Sequence, residues 1–412
     1  MKIAMVAADI WGTVHLDMAQ ALHRLGHAVV VYSEDKRASS GSRFLRVNEE
    51  GVDFWVISDT RRNAWTWLLD KLTKPLLGRR FFTSLVAIAS FLHANSDSDL
   101  ILVEGDWMGF FVGLTALFLP LRWVVEIHDT LYLRIPIDYP GRPRSWWRAW
   151  VKRWVLRQAT AIRANSEVTR VALVQGGGPQ DRIFVQPLHL PWWMRAPGGN
   201  EGQDLAKFRQ NARVRVRNGL GIGEDESLLV VMCRLDPVKG LELAVEALGW
   251  LAQRNIPCRL MICGGDRRFA EFGSYQEKLT RLATGLHISD RIVFTGNIGV
   301  HDVKHYLAAA DLHLAPSVID TFNYAVAEAA LVGTYSLMSA QVGAAPWISD
   351  AGSGEVILER DPALWGEGIQ RLLREPPATG QLEQGSQSLE RDLAPDAAAR
   401  SLMATFAEMA RT

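Results

Sequence analysis

Arg234 and Lys239 stand close together in VVMCRLDPVKGLELAVEAL, where an apolar run ends at Arg234, Pro237 turns the chain and Lys239-Gly240 opens an amphipathic stretch. Two cations and the free backbone N–H groups of a helix start, gathered at one strand end, suit a diphosphate. A solvated strand-to-helix loop is the plainer reading of the same residues. Further along, PSVIDTFNYAVAEAALVG carries Asp320 in the loop before a helix and Glu328 about two turns inside it, on a face otherwise rich in Ala and Val. A carboxylate on such a face needs a hydrogen-bonding partner, because burying a bare charge is costly. A ribose diol is one such partner, and a core arginine or a backbone amide is another. Asp320 is equally placed to cap the helix.

His128 closes the apolar run of VVEIHDT, and Glu104, Asp106 and Trp107 close that of LILVEGDW. A lone histidine at a strand end is a structural hydrogen-bonder or, at a site, a contact to substrate. The acids and the tryptophan are candidates for holding an acceptor or a sugar. No His, Cys and Asp spacing of the kind metal sites use is present, so no metal and no cofactor are expected. Cys233, Cys258 and Cys263 form no CxxC pair and fall in or beside apolar runs, which reads as core thiols in a reducing compartment.

These residues need a scaffold that sets several strand ends side by side. IAMVAAD (3–9), an amphipathic stretch ending at Gly26, and HAVVVYSED form a βαβ pattern. Strand candidates at 54–58, 100–104, 123–127, 161–165 and 183–187 extend it into a parallel, doubly wound sheet. MGFFVGLTALFLPL (108–121) is too short to span a bilayer and reads as a buried helix. Near residue 227 the alternation restarts with SLLVVMCRL and CRLMICGGD and runs to TYSLMSA, a second Rossmann-like domain. Between the two, 191–226 holds APGGNEGQ and GIGEDES and reads as a hinge.

The class is therefore α/β, with an N-terminal Rossmann-like domain over 1–192 and a C-terminal one over 193–380. The remainder, 381–412, is a Gln-, Glu- and Gly-rich connection and a helix expected to pack back toward the first domain. A chain of 412 residues, 48% hydrophobic and 22% charged, fits two ordinary globular cores. Ligands of open α/β sheets bind at the carboxyl ends of strands, so two such sheets facing each other would share one cleft.

Basic and acidic residues balance at 45 each, which argues against a nucleic-acid binder. The halves differ: residues 1–190 carry 23 Lys and Arg against 18 Asp and Glu, leaving 22 against 27 for the rest. The opening MKIAMVAADIWG reads as a strand rather than a secretory leader, and a cytoplasmic protein is expected.

The order R-L-x-x-x-K-G, then P-S-x-x-acid-x7-E-A-x-x-x-G, resembles the retaining glycosyltransferases of family 4, which have the GT-B fold. The likeness continues through Gly26-His27, VVEIHDT, ANSEVTR, Gly264-Gly265, FTG at 294–296 and SAQVGAAPWISDAGSG. It implies that Arg234 and Lys239 bind the diphosphate of a nucleotide-sugar donor and neutralise the leaving group. Glu328 would hold the ribose, and Asp320 would contact the donor sugar. The backbone amides of Phe322, Asn323 and Tyr324 would lie against that sugar and the β-phosphate, with Gly265 also at the donor. His128 would sit near the C6 side of the sugar, and Gly12 and Thr13 would cover the diphosphate. It implies retention at the anomeric carbon without a metal.

Three positions depart from the family pattern: Asp320 stands where Glu is usual, Asn323 where Gly is commonest, and the loop at Trp11-Gly12-Thr13 has one Gly where two often occur. A GT-B epimerase and a non-catalytic nucleotide-sugar-binding or scaffolding relative are the rival readings. The resemblance implies a hydroxyl acceptor, on a glycan, a lipid-linked saccharide or a small molecule. Two segments bear on it. RRNAWTWLLDKLTKPLLGRR (61–80) and 142–157, where Trp147, Trp150, Val151 and Trp154 share a helical face among arginines, suit peripheral contact with an anionic inner membrane surface. The plainer reading is that these stripes pack on their own sheet.

Overall fold

Short apolar runs become strands here because both sheet faces are covered, and alternate residues of one strand then enter two different cores. The computed structural model describes residues 1–8, 14–34, 44–57, 64–77, 81–133, 140–142, 145–191, 194 and 205–409. The chain divides into two units, one of Met1–Ile135, Arg144–Pro191 and Pro395–Thr412, the other of Pro136–Pro143 and Trp192–Ala394.

Through the first unit run β1 (Lys2–Ala7), α1 (Val14–Arg24), β2 (Ala28–Ser33), β3 (Phe44–Glu49), β4 (Val52–Ile57), α2 (Ala64–Leu77) and α3 (Phe81–Ala94). After them come β5 (Leu100–Glu104), α4 (Gly105–Ala116), β6 (Trp123–Ile127), α5 (Trp146–Gln158), β7 (Ala161–Ala164), α6 (Glu167–Gln175) and β8 (Ile183–Val185). The second unit opens with α7 (Leu205–Leu220), β9 (Ser227–Met232), α8 (Leu241–Gln253), β10 (Cys258–Cys263), β11 (Arg268–Phe269), β12 (Gly273–Ser274) and α9 (Tyr275–Gly285). It continues through β13 (Ile292–Gly296), α10 (Val303–Ala309), β14 (Leu312–Ala315), α11 (Tyr324–Leu331), β15 (Ser336–Ser339), α12 (Ala345–Asp350), β16 (Gly354–Ile357), α13 (Pro362–Arg374) and α14 (Thr379–Asp392). The last helix, α15 (Pro395–Met409), returns to the first unit.

The first sheet has the order β3-β4-β2-β1-β5-β6-β7-β8. Ala4 and Val6 of β1 enter a core with α3, α4 and α5, while Ile3 and Met5 enter another with α1 and α15. Gln186 Nε2 donates to the Ala398 carbonyl at 2.5 Å, and Arg24 pairs with Asp396, which ties α15 down. The sheet is parallel except at its edge, where β3 pairs antiparallel with β4. Sequence periodicity alone left β3 out; its marker was the turn Glu50-Gly51, with φ of 48° and 84°, positive at both positions as a tight hairpin requires.

The second sheet is parallel, with the order β13-β10-β9-β14-β15-β16. Two segments read as connections are in fact helical. Inside the expected hinge, α7 buries Phe208, Ala212 and Val216, each four residues after the last, against α10. Inside the expected polar connection, α14 buries Gly385, Ser386 and Leu389 and packs on α11 and α12. In both, a narrow apolar stripe was masked by polar composition.

α4 is the buried helix expected from its apolar run, with Met108, Phe110, Phe111 and Val112 inside. Among the described residues no helix is long and apolar enough to cross a membrane.

Candidate active site

In the second unit the chain leaves β9 toward β10 and β13, then returns to β14 on the opposite side of β9. The crevice outside the carboxyl ends of β9 and β14 is therefore the topological switch point, where open α/β sheets take their ligands. Arg234, exposed, follows β9. Asp236 then caps a short turn, accepting from Val238 N at 3.2 Å, and Arg267 pairs with its other oxygen. The turn delivers Lys239. Gly240 follows at φ 64°, where a Cβ would lie 2.2 Å from the Pro316 carbonyl oxygen, so a glycine lets β9's loop press against β14's.

Lys239 Nζ donates to Asp320 Oδ2 at 2.5 Å, with the two side chains 18% and 10% exposed, and Ser317 Oγ donates to the same oxygen at 3.3 Å. Burial disfavours the charged lysine, but the Asp320 carboxylate outweighs it and raises the Lys239 pKa above its ordinary value. Arg234 is near enough to push the other way. Backbone bonds to the loop after β15 hold Asp320: its N–H donates to the Gln341 carbonyl at 2.9 Å and its carbonyl accepts from Gly343 N at 2.8 Å.

Phe322 is buried, and Ala344 N donates to its carbonyl. Asn323 caps α11 at φ 74°, its side chain accepting from Ala325 N at 3.2 Å. The left-handed backbone accounts for an amide where glycine is commonest, because Asn tolerates that region better than other side chains. Tyr324 begins the helix. Glu328 is partly buried one turn on; its carboxylate has no hydrogen bond or ion pair among the described residues, and burial pushes its pKa up to about 7.

Gly264 and Gly265 follow β10. At Gly264, with φ 149°, a Cβ would stand 1.8 Å from the Cys233 carbonyl oxygen, and Leu235 N donates to the Gly265 carbonyl at 3.0 Å. Burial pushes the neighbouring Cys233 thiol up to about 12, which leaves it unreactive.

His128 belongs to the first unit. It follows β6 and lies beside Glu126, which pairs with Arg163 of β7, and beside His15 of α1. Sequence reading passed over His15, Glu126 and Arg163. The signal for Glu126 and Arg163 was an acid and a base each set inside an otherwise apolar strand, in VVEIHDT and AIRAN; His15, on a helix, had none. The ligand atoms of His15, Glu126 and His128 lie within 4.8 Å of one another. Arg163 already holds an oxygen of Glu126, and a fixed guanidinium beside a cation opposes its binding.

Glu104 joins this cluster through His15. Asp106 is buried on α4 with Oδ2 unpaired among the described residues. Trp107 packs among Phe81, Phe110 and Phe111 under the Arg148 guanidinium. Gly12 and Thr13 lie outside the described residues.

The loop after His128 is fixed from beneath. Lys152 of α5, 1% exposed, donates to Asp129 Oδ1 at 2.6 Å and to the Leu131 carbonyl at 2.9 Å. The tryptophan stripe of α5 is mostly turned inward: Val151 is fully buried, and Trp147 and Trp154 pack on the core beside Phe110. Trp146 and Trp150 stay exposed.

Two family models match the chain. The glycosyl transferase 4-like domain covers residues 12–189, and glycosyl transferases group 1 covers 213–388. Among characterised relatives, the D-inositol 3-phosphate glycosyltransferase of Salinispora tropica is 28% identical over 367 residues, covering 84% of this chain and 72% of that one. That of Frankia alni is 29% identical over 212 residues, 50% of this chain and about half, 51%, of the relative. Among solved structures, sucrose-phosphate synthase from Thermosynechococcus elongatus superposes with a TM-score of 0.72 at 18% identity, covering 99% of both chains. Anabaena HepE in complex with UDP and glucose gives 0.67 at 16% identity, covering 99% of this chain and 100% of that one.

Proposed function

Because the chain belongs to the family 4 glycosyltransferases, with the two α/β domains of the GT-B fold, we propose that it moves a sugar from a nucleotide-diphosphate donor to a hydroxyl acceptor with retention at the anomeric carbon. The observation that carries this reading is the group at the switch point of the second unit: Lys239 paired to Asp320, Arg234 beside it, and Glu328 unpartnered on α11.

Cleaving the bond from the anomeric carbon to phosphate puts negative charge on the diphosphate and positive charge on the sugar. Arg234, Lys239 and the amides of Phe322, Asn323 and Tyr324 supply fixed positive charge where the diphosphate leaves, so the reading needs no metal ion. When donor binds, Lys239 turns from Asp320 toward the β-phosphate and frees the Asp320 carboxylate for the sugar hydroxyls. The acceptor oxygen bonds to the anomeric carbon on the face the phosphate leaves, and its proton passes to a phosphate oxygen. Glu328 accepts from the ribose hydroxyls, and His128 is assigned to the donor sugar on its match to the family motif. Gly12 and Thr13 are assigned to the diphosphate on their sequence match alone.

The place of action is the cytoplasmic face of a membrane, with a lipid-linked acceptor. Helix α2 supports this by being inside out. Trp65, Leu68, Leu69 and Leu72, spaced as one helical stripe, are 73%, 41%, 40% and 68% exposed, while Thr66 and Asp70 are buried. Asp70 accepts from Phe82 N at 2.7 Å and from Thr83 Oγ at 2.5 Å, at the start of α3. It is the one acid in 61–80, against six Lys and Arg, so the segment is basic in sequence, as contact with anionic lipid requires. Trp146 and Trp150 of α5 add apolar surface on the same unit.

The donor reading is tested by incubating the chain with UDP- and GDP-sugars, with and without chelator, and following nucleotide release and the anomeric configuration of the product. Inversion, or dependence on added metal, would refute the mechanism. Flotation with anionic and zwitterionic vesicles tests the membrane reading, with Leu72→Asp expected to abolish anionic binding.

A further inference from the structure

Glu104, Glu126 and Arg163 stand in register across three adjacent parallel strands, β5, β6 and β7. Above this row His15, on the first turn of α1 and 5% exposed, reaches both acids: its Nε2 is 3.0 Å from Glu104 Oε1 and its Nδ1 is 3.6 Å from Glu126 Oε2. Arg163 holds the other oxygen of Glu126 and donates to the Pro187 carbonyl at 3.0 Å. His128, two residues after Glu126 and so on the same side of the strand, has its Nε2 3.9 Å from the Glu126 oxygen that His15 faces. The two imidazole centroids are 5.6 Å apart.

The charges decide what this arrangement does. Among the described residues, two carboxylates and one guanidinium leave a deficit of one positive charge in a largely buried place, where an unbalanced charge is costly. One proton closes the balance, and the two imidazoles compete for it. His15 touches both carboxylates, whereas His128 approaches one of them from farther away.

We infer that His15 is a positioning residue: by carrying the proton between Glu104 and Glu126 it fixes the Glu126 carboxylate beneath His128 and keeps the His128 ring neutral. The inference rests on the proposed place of His128 at the donor sugar. A neutral imidazole offers a hydroxyl one donor and one acceptor nitrogen. An imidazolium would offer two donors and would repel the positive charge that grows on the sugar as the glycosyl bond breaks.

The titration behaviour agrees. Burial disfavours a charged His15, but the hydrogen bond and charge of Glu104 and the charge of Glu126 overcome it and raise its pKa above 6.5. Burial would raise Glu126, yet Arg163 and then His15 hold it at about 2. His128 is lowered to about 4, by burial first and with His15 contributing. Facing His15 among the described residues are Glu104 from β5, Glu126 and His128 from β6 and its loop, and Arg163 from β7. Its own helix adds the buried Asp17, and at the far end Arg24 is paired with Asp396 of α15.

The test is a pH titration of the full chain labelled with ¹⁵N-histidine, followed by NMR. In the wild type the His15 signal should titrate above the ordinary histidine value while His128 stays neutral down to pH 5. In His15→Gln the proton moves, and the His128 titration should rise by about one to two pH units. His15→Lys, which restores a cation, should return His128 to the neutral form, and UDP affinity should be unchanged in both variants. An unchanged His128 titration in folded His15→Gln would overturn the inference. If that variant does not fold, Glu104→Gln decides: the His15 titration should fall by about one unit, and no change would be equally damaging. The titration needs neither donor nor acceptor, so its failure is distinct from failure of the transferase reading.

Discussion

Glu328→Gln should make the second unit more stable and the enzyme worse. The Glu328 carboxyl is pushed from 4.5 up to about 7 by burial, with no partner among the described residues. Between those two values the folded chain keeps a proton that the unfolded chain has lost, so stability falls as pH rises through the window and the full deficit holds above pH 7. An interval of that size corresponds to about 3 kcal/mol, and partial exposure of the carboxylate cuts this to about 1–2 kcal/mol. A neutral isosteric glutamine never ionises and escapes the deficit. The variant's calorimetric melting temperature should therefore exceed the wild type's by about 3–6 °C at pH 8.5, and the gain should shrink toward zero near pH 5. Nucleotide affinity should move the other way. Losing a charged acceptor to two ribose hydroxyls should weaken UDP binding by about 100-fold, and wild-type binding should itself weaken below pH 7 as Glu328 takes up its proton. A gain equal at both pH values, or a loss at pH 8.5, would mean that Glu328 is already paid its hydration by water, and the reasoning would fail.

Asn323→Gly should cost little and Asn323→Val about 1–3 kcal/mol in urea unfolding, because the backbone there is left-handed and the side chain also caps α11. Gly264→Ala should abolish the native second unit in near-UV circular dichroism, since the added Cβ would stand 1.8 Å from the backbone oxygen of Cys233. Lys239→Ala should lower donor turnover by about 100- to 1,000-fold. It should also destabilise the chain at neutral pH by about 1–3 kcal/mol, because Asp320 keeps a buried carboxylate without its cation.

How far the sequence could be read depended on whether a signal was local. The strands lining both units were legible because strands buried on both faces are continuous apolar runs, and the Arg234, Lys239 and Asp320 loops were legible because they interrupt such runs at their ends. The structure brings those three together, which spacing alone could not assert, and it shows Lys239 and Asp320 neutralising each other, which no motif states. Helices α7 and α14 were missed because their buried stripes are thin and their remaining faces polar. The cluster around His128 was missed for another reason: Glu126, Arg163 and His15 lie on three separate elements, and only strand register brings them into one row. The outward stripe of α2 was seen as a pattern, but its direction depends on Asp70 being drawn inward to cap α3.

The central claim, a donor site built on Arg234, Lys239 and Glu328, is tested most directly by calorimetric titration of UDP and GDP into wild type and Lys239→Ala without added metal. The account predicts measurable binding of one nucleotide by the wild type and a loss of about 10-fold or more in the variant, as expected when a charged phosphate contact is removed. Equal affinities in the two proteins, or no binding of either nucleotide by folded wild type, would contradict it and favour a relative that kept the fold without the chemistry.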